Sequence, residues 1–229
     1  MRLPTATLRL PAMGVLLAAS LLGATPAVAA SPVSWNTWIS GPHTNGGNWG
    51  GYGATGHTFT TITGSWKEPK AVCQADHDLY APWLGIDGYG DSTVEQTGVQ
   101  TSCQSGSPVD SAWYEMYPAA PVYYSNPVST GDKITATVRY TGSGNYSLTI
   151  KDDTKGWSHT VSRHLNAKNA SAEAIIEAPG GFPGLPDGVT FTGIHVNGKI
   201  FSSYHPHKLT SAGFRPGPLH GGTFTIRHS

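Results

Sequence analysis

Lys133-Ile134-Thr135-Ala136-Thr137-Val138-Arg139-Tyr140 alternates apolar and polar residues without a break. Successive side chains of a strand point to opposite faces. Ile134, Ala136 and Val138 therefore share one face, and Lys133, Thr135, Thr137 and Arg139 the other. Such a strand is half-buried, with one face on a core and one in water. The reading extends outward from it. Phe59-Thr60-Thr61-Ile62-Thr63 is aromatic and β-branched, and residues 147–151, 189–196, 199–204 and 223–227 read as further strands. Asn197-Gly198 joins two of them as a type I′ hairpin turn, which demands positive φ at both residues. Gly156, after Asp152-Asp153-Thr154-Lys155, marks another turn. Gly180-Gly181-Phe182-Pro183-Gly184-Leu185-Pro186 reads as a loop. No stretch holds a 3.6-residue apolar period over three turns. Many short strands with turn signals between them predict an all-β chain, an antiparallel sandwich or barrel.

The chain has 229 residues, of which 12% are charged, with 14 basic and 14 acidic. An average domain carries about 25% charged residues. No basic stripe or charge run occurs, which argues against nucleic acid and anionic membranes as partners. Arg2 and Arg9 precede the apolar run Met13-Gly14-Val15-Leu16-Leu17-Ala18-Ala19-Ser20-Leu21-Leu22-Gly23. That run is too short to span a bilayer, and Ala27-Val28-Ala29 supplies the small residues a signal peptidase reads. Residues 1–29 are thus expected to be a secretory signal peptide, 30–47 a lead-in segment, and 48–229 one β-sandwich domain. The mature form is expected to be extracellular, monomeric and free of any membrane segment. Cys73 and Cys103 are the two cysteines. In an oxidising compartment they read as one disulfide, worth about 3–4 kcal/mol for a loop of about 30 residues. A catalytic thiol is the rival reading. Asn145-Tyr146-Ser147 and Asn169-Ala170-Ser171 fit the glycosylation pattern.

Several motifs of enzyme chemistry are missing: HExxH, G-x-S-x-G, a phosphate loop and a dinucleotide fingerprint. His205 and His207 would face the same way on a strand, with His220 as the third candidate ligand. A metal needs more ligands and a supporting shell, so neither metal nor cofactor is expected. The carboxylates are more informative. Strand alternation puts Trp113, Glu115 and Tyr117 on one face, and Glu173, Ile175 and Glu177 on one face with Ala174 and Ile176 toward the core. Glutamates beside Trp and Tyr suit a lined groove or a solvated outer face, and spacing alone leaves both open.

Five segments, in order, carry a family resemblance. Asn48-Trp49-Gly50-Gly51 is followed by Ile62-Thr63-Gly64-Ser65-Trp66 and Pro69. Then come Trp83-Leu84-Gly85-Ile86-Asp87-Gly88, Gln96-Thr97-Gly98-Val99, Trp113-Tyr114-Glu115-Met116-Tyr117-Pro118 and Ala172-Glu173-Ala174-Ile175-Ile176-Glu177. From Asn48 onward the chain resembles the glutamic peptidases, the eqolisins. The resemblance implies a sandwich of two bent antiparallel sheets, of concanavalin-like or jelly-roll type, with the active site on one concave face. It implies an acid-acting secreted endopeptidase on polypeptide substrates, with the catalytic Gln on Gln96 and the catalytic Glu on Glu177. Trp83, Asp87 and Glu115 match positions that line or brace the family's site, and Trp113 and Glu173 fall on the same strand faces.

In that reading ionised Glu177 takes a proton from water as general base, and Gln96 holds the water and then the oxyanion. Acid action then asks for a carboxyl pKa near 4.3 or lower, and Glu115 and Asp87 are expected to fix the Gln96 amide. The chain departs from the family pattern at Gln100, where Asp is usual, at Met116 and Ala174, where Trp is usual, and at Glu95, where an apolar residue is usual. A second disulfide is absent. Two alternatives remain at this point. One is a glycosidase using Glu115 and Glu177 from neighbouring strands, since retaining glycosidases hold two carboxyls about 5–5.5 Å apart. The other is a non-catalytic or carbohydrate-binding sandwich.

Overall fold

A computed structural model describes residues 47–179, 181–211 and 213–228. The expected signal peptide, almost all of the lead-in segment and Gly180 lie outside these residues. In chain order the strands are β1 (Trp49–Thr55), β2 (Thr61–Lys67), β3 (Leu79–Ile86), β4 (Val94–Gln104), β5 (Ser107–Tyr117), β6 (Val122–Pro127), β7 (Lys133–Gly142) and β8 (Asn145–Asp152). They continue as β9 (Trp157–His164), β10 (Ser171–Glu177), β11 (Val189–Val196), β12 (Lys199–Ile200), β13 (His207–Leu209), β14 (Phe214–Pro216) and β15 (Phe224–His228). Every pairing is antiparallel.

The strands form two sheets. The first runs β13-β1-β10-β3-β4-β5-β6, and the second β14-β15-β11-β2-β7-β8-β9, with β12 paired to β11. The main core lies between them. Ile134, Ala136 and Val138 of β7 point into it, with Ile62 and Trp66 of β2, Leu148 and Ile150 of β8 and Phe191 of β11. From the first sheet come Leu84, Ile86, Ala174 and Ile176. The face of the first sheet turned away from the second is also buried, by Trp49, Leu79, Ala81, Trp83, Val94, Trp113, Ile175 and Leu209. β3 and β10 are buried along their whole length.

Two strand boundaries differ from expectation. The strand expected over 59–63 begins at Thr61, because Phe59 turns wholly into the core and its N–H bonds the Asn169 carbonyl at 2.8 Å. The strand expected over 199–204 ends at Ile200. Phe201–Tyr204 is instead one turn of 3-10 helix, which carries Phe201 into the core and closes at His205 with φ 49°. The hairpin turn before it has the expected positive φ, 48° at Asn197 and 76° at Gly198. Asn197 Oδ1 also accepts from the Thr60 and Thr61 amides at 2.7 and 3.1 Å, tying the turn to the start of β2. Cys73 and Cys103 are bridged, with Cα atoms 5.6 Å apart, anchoring the loop before β3 to β4.

Candidate active site

The site is built on the outer face of the first sheet. Register places Glu173 (β10), Gly85 (β3), Gln96 (β4) and Glu115 (β5) in one lateral row. Four residues along β10 from Glu173, Glu177 pairs with Ala81 of β3 and with Trp49 of β1. Trp83 is central to this face. A Cβ on Gly85 would lie 2.8 Å from the Trp83 ring and 3.3 Å from the Gln96 Cβ, so the indole lies over Gly85 beside Gln96. Its Nε1 donates to Glu177 Oε2 at 3.2 Å. A Cβ on Gly98 would fall 2.3 Å from the Pro82 carbonyl oxygen and 2.7 Å from the Trp83 Cβ. The glycines of the W-L-G and Q-T-G segments are thus the space the tryptophan occupies. Trp49 meets Trp83 edge to face, with centroids 4.9 Å apart.

Gln96 is fully buried. Its Nε2 donates to Glu115 Oε2 at 2.6 Å, which fixes the amide. Its Oε1 is buried without a hydrogen-bond partner among the described residues. A buried acceptor of this kind invites a water or a substrate donor. Glu177 is held from the other side, where Asn48 Nδ2 donates to its Oε1 at 3.0 Å. Burial pushes the Glu177 carboxyl up to about 7, against the pull of donors on Asn48, Trp83 and Trp49. Burial, and then the charge of Glu177, push Glu115 up to about 8, with the Gln96 amide opposing. The two carboxyls therefore titrate as neighbours, Glu177 first. The Glu177 value lies above the value near 4.3 or lower that acid action was expected to ask for, because burial among the tryptophans disfavours the charged carboxylate.

Asp87 does not brace Gln96. It sits past the end of β3 with φ 64°, and its two oxygens accept the Asn169 and Ala170 amides at 2.8 and 2.6 Å. Its role is to tie the turn after β3 to the approach to β10. Glu173 is on the expected face but at the far end of the row. Burial drives its carboxyl well above the usual range, and Asp87 and Asp91 raise it further while the Ser171 hydroxyl opposes. Trp113 packs in the outer aromatic cluster with Tyr117 and Tyr123. Glu115 and Glu177 do not lie on neighbouring strands, because β3 and β4 run between β5 and β10. That removes the pairing on which the glycosidase alternative rested.

Several residues escaped sequence reasoning. Tyr123 of β6 donates to Gln100 Oε1 at 2.5 Å, and Gln100 Nε2 donates in turn to Ser102 Oγ. Gln100 thus occupies its departure position as part of a neutral hydrogen-bonded chain beside the site. Asn48 enters the sequence reading only as part of the Asn48-Trp49-Gly50-Gly51 motif. Glu95 faces the inter-sheet side, where burial pushes its carboxyl up to about 10, so it is neutral. Glu68 accepts from Trp66 Nε1 at 3.1 Å and Tyr80 Oη at 3.2 Å, and Thr101 bridges it to Asp110. Nothing in the local pattern signals these carboxyls as buried. Their burial follows from strand pairings between distant segments.

The sequence profile of the Peptidase A4 family matches residues 47–204, and the chain belongs to that family. Aspergillopepsin-2 of Aspergillus niger is 29% identical over 155 residues, covering 57% of this chain and 55% of the relative. The match thus spans about half the length of that relative. Scytalido-glutamic peptidase, solved with a transition state analog inhibitor, superposes with a TM-score of 0.70 at 24% identity, over 80% of this chain and 98% of that one. Aspergilloglutamic peptidase from Aspergillus niger gives 0.58 at 26% identity, over 66% of this chain and 99% of that one. These likenesses match the two-sheet sandwich described above.

Proposed function

We propose that the protein is a secreted endopeptidase of the glutamic type, hydrolysing polypeptides through Gln96 and Glu177. The observation that carries the reading is the division of labour around Trp83. On one side Gln96 is anchored through its nitrogen, with its oxygen left uncommitted. On the other, a buried glutamate is oriented by an indole and an asparagine.

In the reaction, ionised Glu177 takes a proton from a water whose second hydrogen bonds Gln96 Oε1. The water oxygen attacks the scissile carbonyl. The second N–H of Gln96 Nε2, the one not given to Glu115, donates to the oxyanion as it forms. One such donor is worth about 2.7–4 kcal/mol of barrier. The tetrahedral intermediate collapses as Glu177 returns its proton to the leaving nitrogen. The base regains its charge and no covalent intermediate is formed. Glu115, protonated in the same range, holds Gln96 without adding a second charge.

Two opposing requirements set the working pH. The base must be ionised, which favours pH near 7, whereas the fold holds several buried carboxyls in their neutral form, which favours acid. A weakly acidic range meets both, and acid action is proposed in that sense. The test is the rate of cleavage of an unfolded protein substrate from about pH 3 to pH 8, with an aspartic-protease inhibitor in a parallel series. The proposal expects inhibitor-insensitive internal cleavage, with kcat/KM climbing about tenfold per pH unit on the acid limb. Absence of cleavage at every pH would return the protein to the non-catalytic reading.

A further inference from the structure

A second pair of carboxyls meets on the inter-sheet side of the first sheet, and the proposed reaction makes no use of it. Register places Tyr80 (β3), Thr101 (β4) and Asp110 (β5) in one lateral row. Glu68, just past the end of β2, reaches this row from the second sheet. Its main chain stays with that sheet. The Glu68 N–H bonds the Asp132 carbonyl at 2.8 Å, and its carbonyl accepts the Gly131 N–H at 2.7 Å. Its side chain joins the first sheet. Glu68 Oε1 lies 3.2 Å from Tyr80 Oη and 3.2 Å from Thr101 Oγ1, while Oε2 accepts from Trp66 Nε1 at 3.1 Å. Thr101 Oγ1 also lies 2.8 Å from Asp110 Oδ1. A threonine hydroxyl has one proton. It can donate to one of these two carboxyls, so the other contact needs a proton of its own. With both carboxyls ionised, lone pairs would face each other and two like charges would share a site away from water. With one proton on the pair, every contact is satisfied, from Glu68 through Thr101 to Asp110.

We propose that Glu68, Thr101 and Asp110 form a proton-operated clasp between the sheets: one proton shared by the two carboxyls holds it shut, and its loss to solvent toward neutral pH releases Glu68. The charges around the pair decide which carboxyl leaves. Burial raises Asp110 to about 6, with Thr101 and then Lys155 opposing and Asp132 adding. Lys155, itself bonded to Asp132, thus gives ionised Asp110 a nearby cation. Burial, and then the charge of Asp110, raise Glu68 to about 8 against the neutral donors Trp66, Tyr80 and Thr101. On its other side Glu68 lines a cleft with Lys67, Lys70, Lys133 and Asp187. Lys133 is paired with Asp153, but among the described residues no ion pair holds Lys67 or Lys70. Ionised Glu68 therefore has a solvated place to go. The Cys73–Cys103 bridge keeps the following loop on β4, so the opening is local and reversible. Tyr80 shares β3 with Trp83, and Thr101 shares β4 with Gln96, so the open clasp loosens the strands that carry the candidate site. The clasp itself does not rest on the proposed reaction and would work alike in a non-catalytic protein.

The test follows the carboxyl carbons of the labelled protein by NMR across the acid and neutral range, with hydrogen exchange at the Glu68 and Gly131 amides beside it. The expected result is that Glu68 keeps its proton up to about pH 8. In Asp110→Asn, where the neighbouring charge is gone, it titrates lower by about one pH unit. Between about pH 6 and about pH 8 the shut clasp holds one proton more than the open one. Protection of the two amides therefore falls about tenfold per pH unit there, after correction for base-catalysed exchange. The double variant Glu68→Gln/Asp110→Asn carries its hydrogens at every pH and keeps that protection. Three results overturn the proposal: both carboxyls ionised by about pH 5 in the native protein, an unmoved Glu68 titration in Asp110→Asn, or the same loss of protection in the double variant. The first of these is read on the native protein alone and needs no variant to fold.

Discussion

In the proposed mechanism, Asn48, Trp83 and Glu177 set the chemistry at the scale of single residues. Asn48 and Trp83 donate to the two oxygens of the Glu177 carboxylate and favour its charged form against burial. Asn48→Ala removes one donor and leaves the tryptophan packing intact. The Glu177 carboxyl should then titrate higher than about 7, and the acid limb of the kcat/KM profile should move to higher pH. An unmoved limb would mean that Glu177 does not govern it. In the proposed mechanism Gln96→Ala removes the water's acceptor and the oxyanion's donor together, and should lower kcat about 10²–10³-fold with little change in KM. Steady-state kinetics on one peptide checks this, and a change in KM alone would assign Gln96 to binding.

At the scale of elements, the first sheet is held by what its glycines omit. Gly98→Ala would force a methyl group to within 2.3 Å of the Pro82 carbonyl oxygen. β3 and β4 would have to part, and overpacking of this kind costs about 1–3 kcal/mol. The denaturant midpoint should fall by that measure, and an unchanged midpoint would show that the strands yield freely. The same sheet explains what could be read from the sequence. The alternation that marks residues 133–140 survives in β2, β7, β8 and β11 because each of these strands has one wet face. β3, β4 and β10 are buried on both faces, so alternation of polarity vanishes from them. Those strands hold Trp83, Gln96 and Glu177, and here family motifs spoke where periodicity was silent. The row joining Glu173, Gly85, Gln96 and Glu115 depends on register between segments up to 88 residues apart, which local pattern does not encode. Asp87, which the family resemblance sets beside Gln96, departs for a related reason. Its positive φ turns the chain off the line of β3.

The whole molecule carries an unusual load of neutral buried acid. Burial raises Glu177 to about 7, Glu68 and Glu115 to about 8, Glu95 to about 10, and Asp87 and Asp110 to about 6. In the unfolded chain these groups titrate near 4. Between those limits the folded state binds more protons, so stability falls as pH rises. Their contribution is complete below about pH 4 and is lost progressively as pH climbs through each folded value. Asp132 acts in the opposite sense. Burial works against it, but Lys155 and the Ser129 amide hold it below the usual range, so its share is lost in strong acid. The raised groups outnumber it. Thermal unfolding should therefore show the highest Tm in mild acid and a fall of several degrees or more toward about pH 8, since 1 kcal/mol moves Tm by about 2–4 °C at this size. A Tm that rises over that interval would contradict the burial of these carboxyls.

The central claim is that Glu177 is the base. Glu177→Gln keeps the shape and can still pair with Asn48, but it can accept no proton. The most direct measurement is cleavage of an unfolded protein substrate by this variant and the native protein at the native optimum, with circular dichroism and Tm confirming that both are folded. The account predicts a folded variant with no turnover. A folded variant that still cuts the substrate would contradict it.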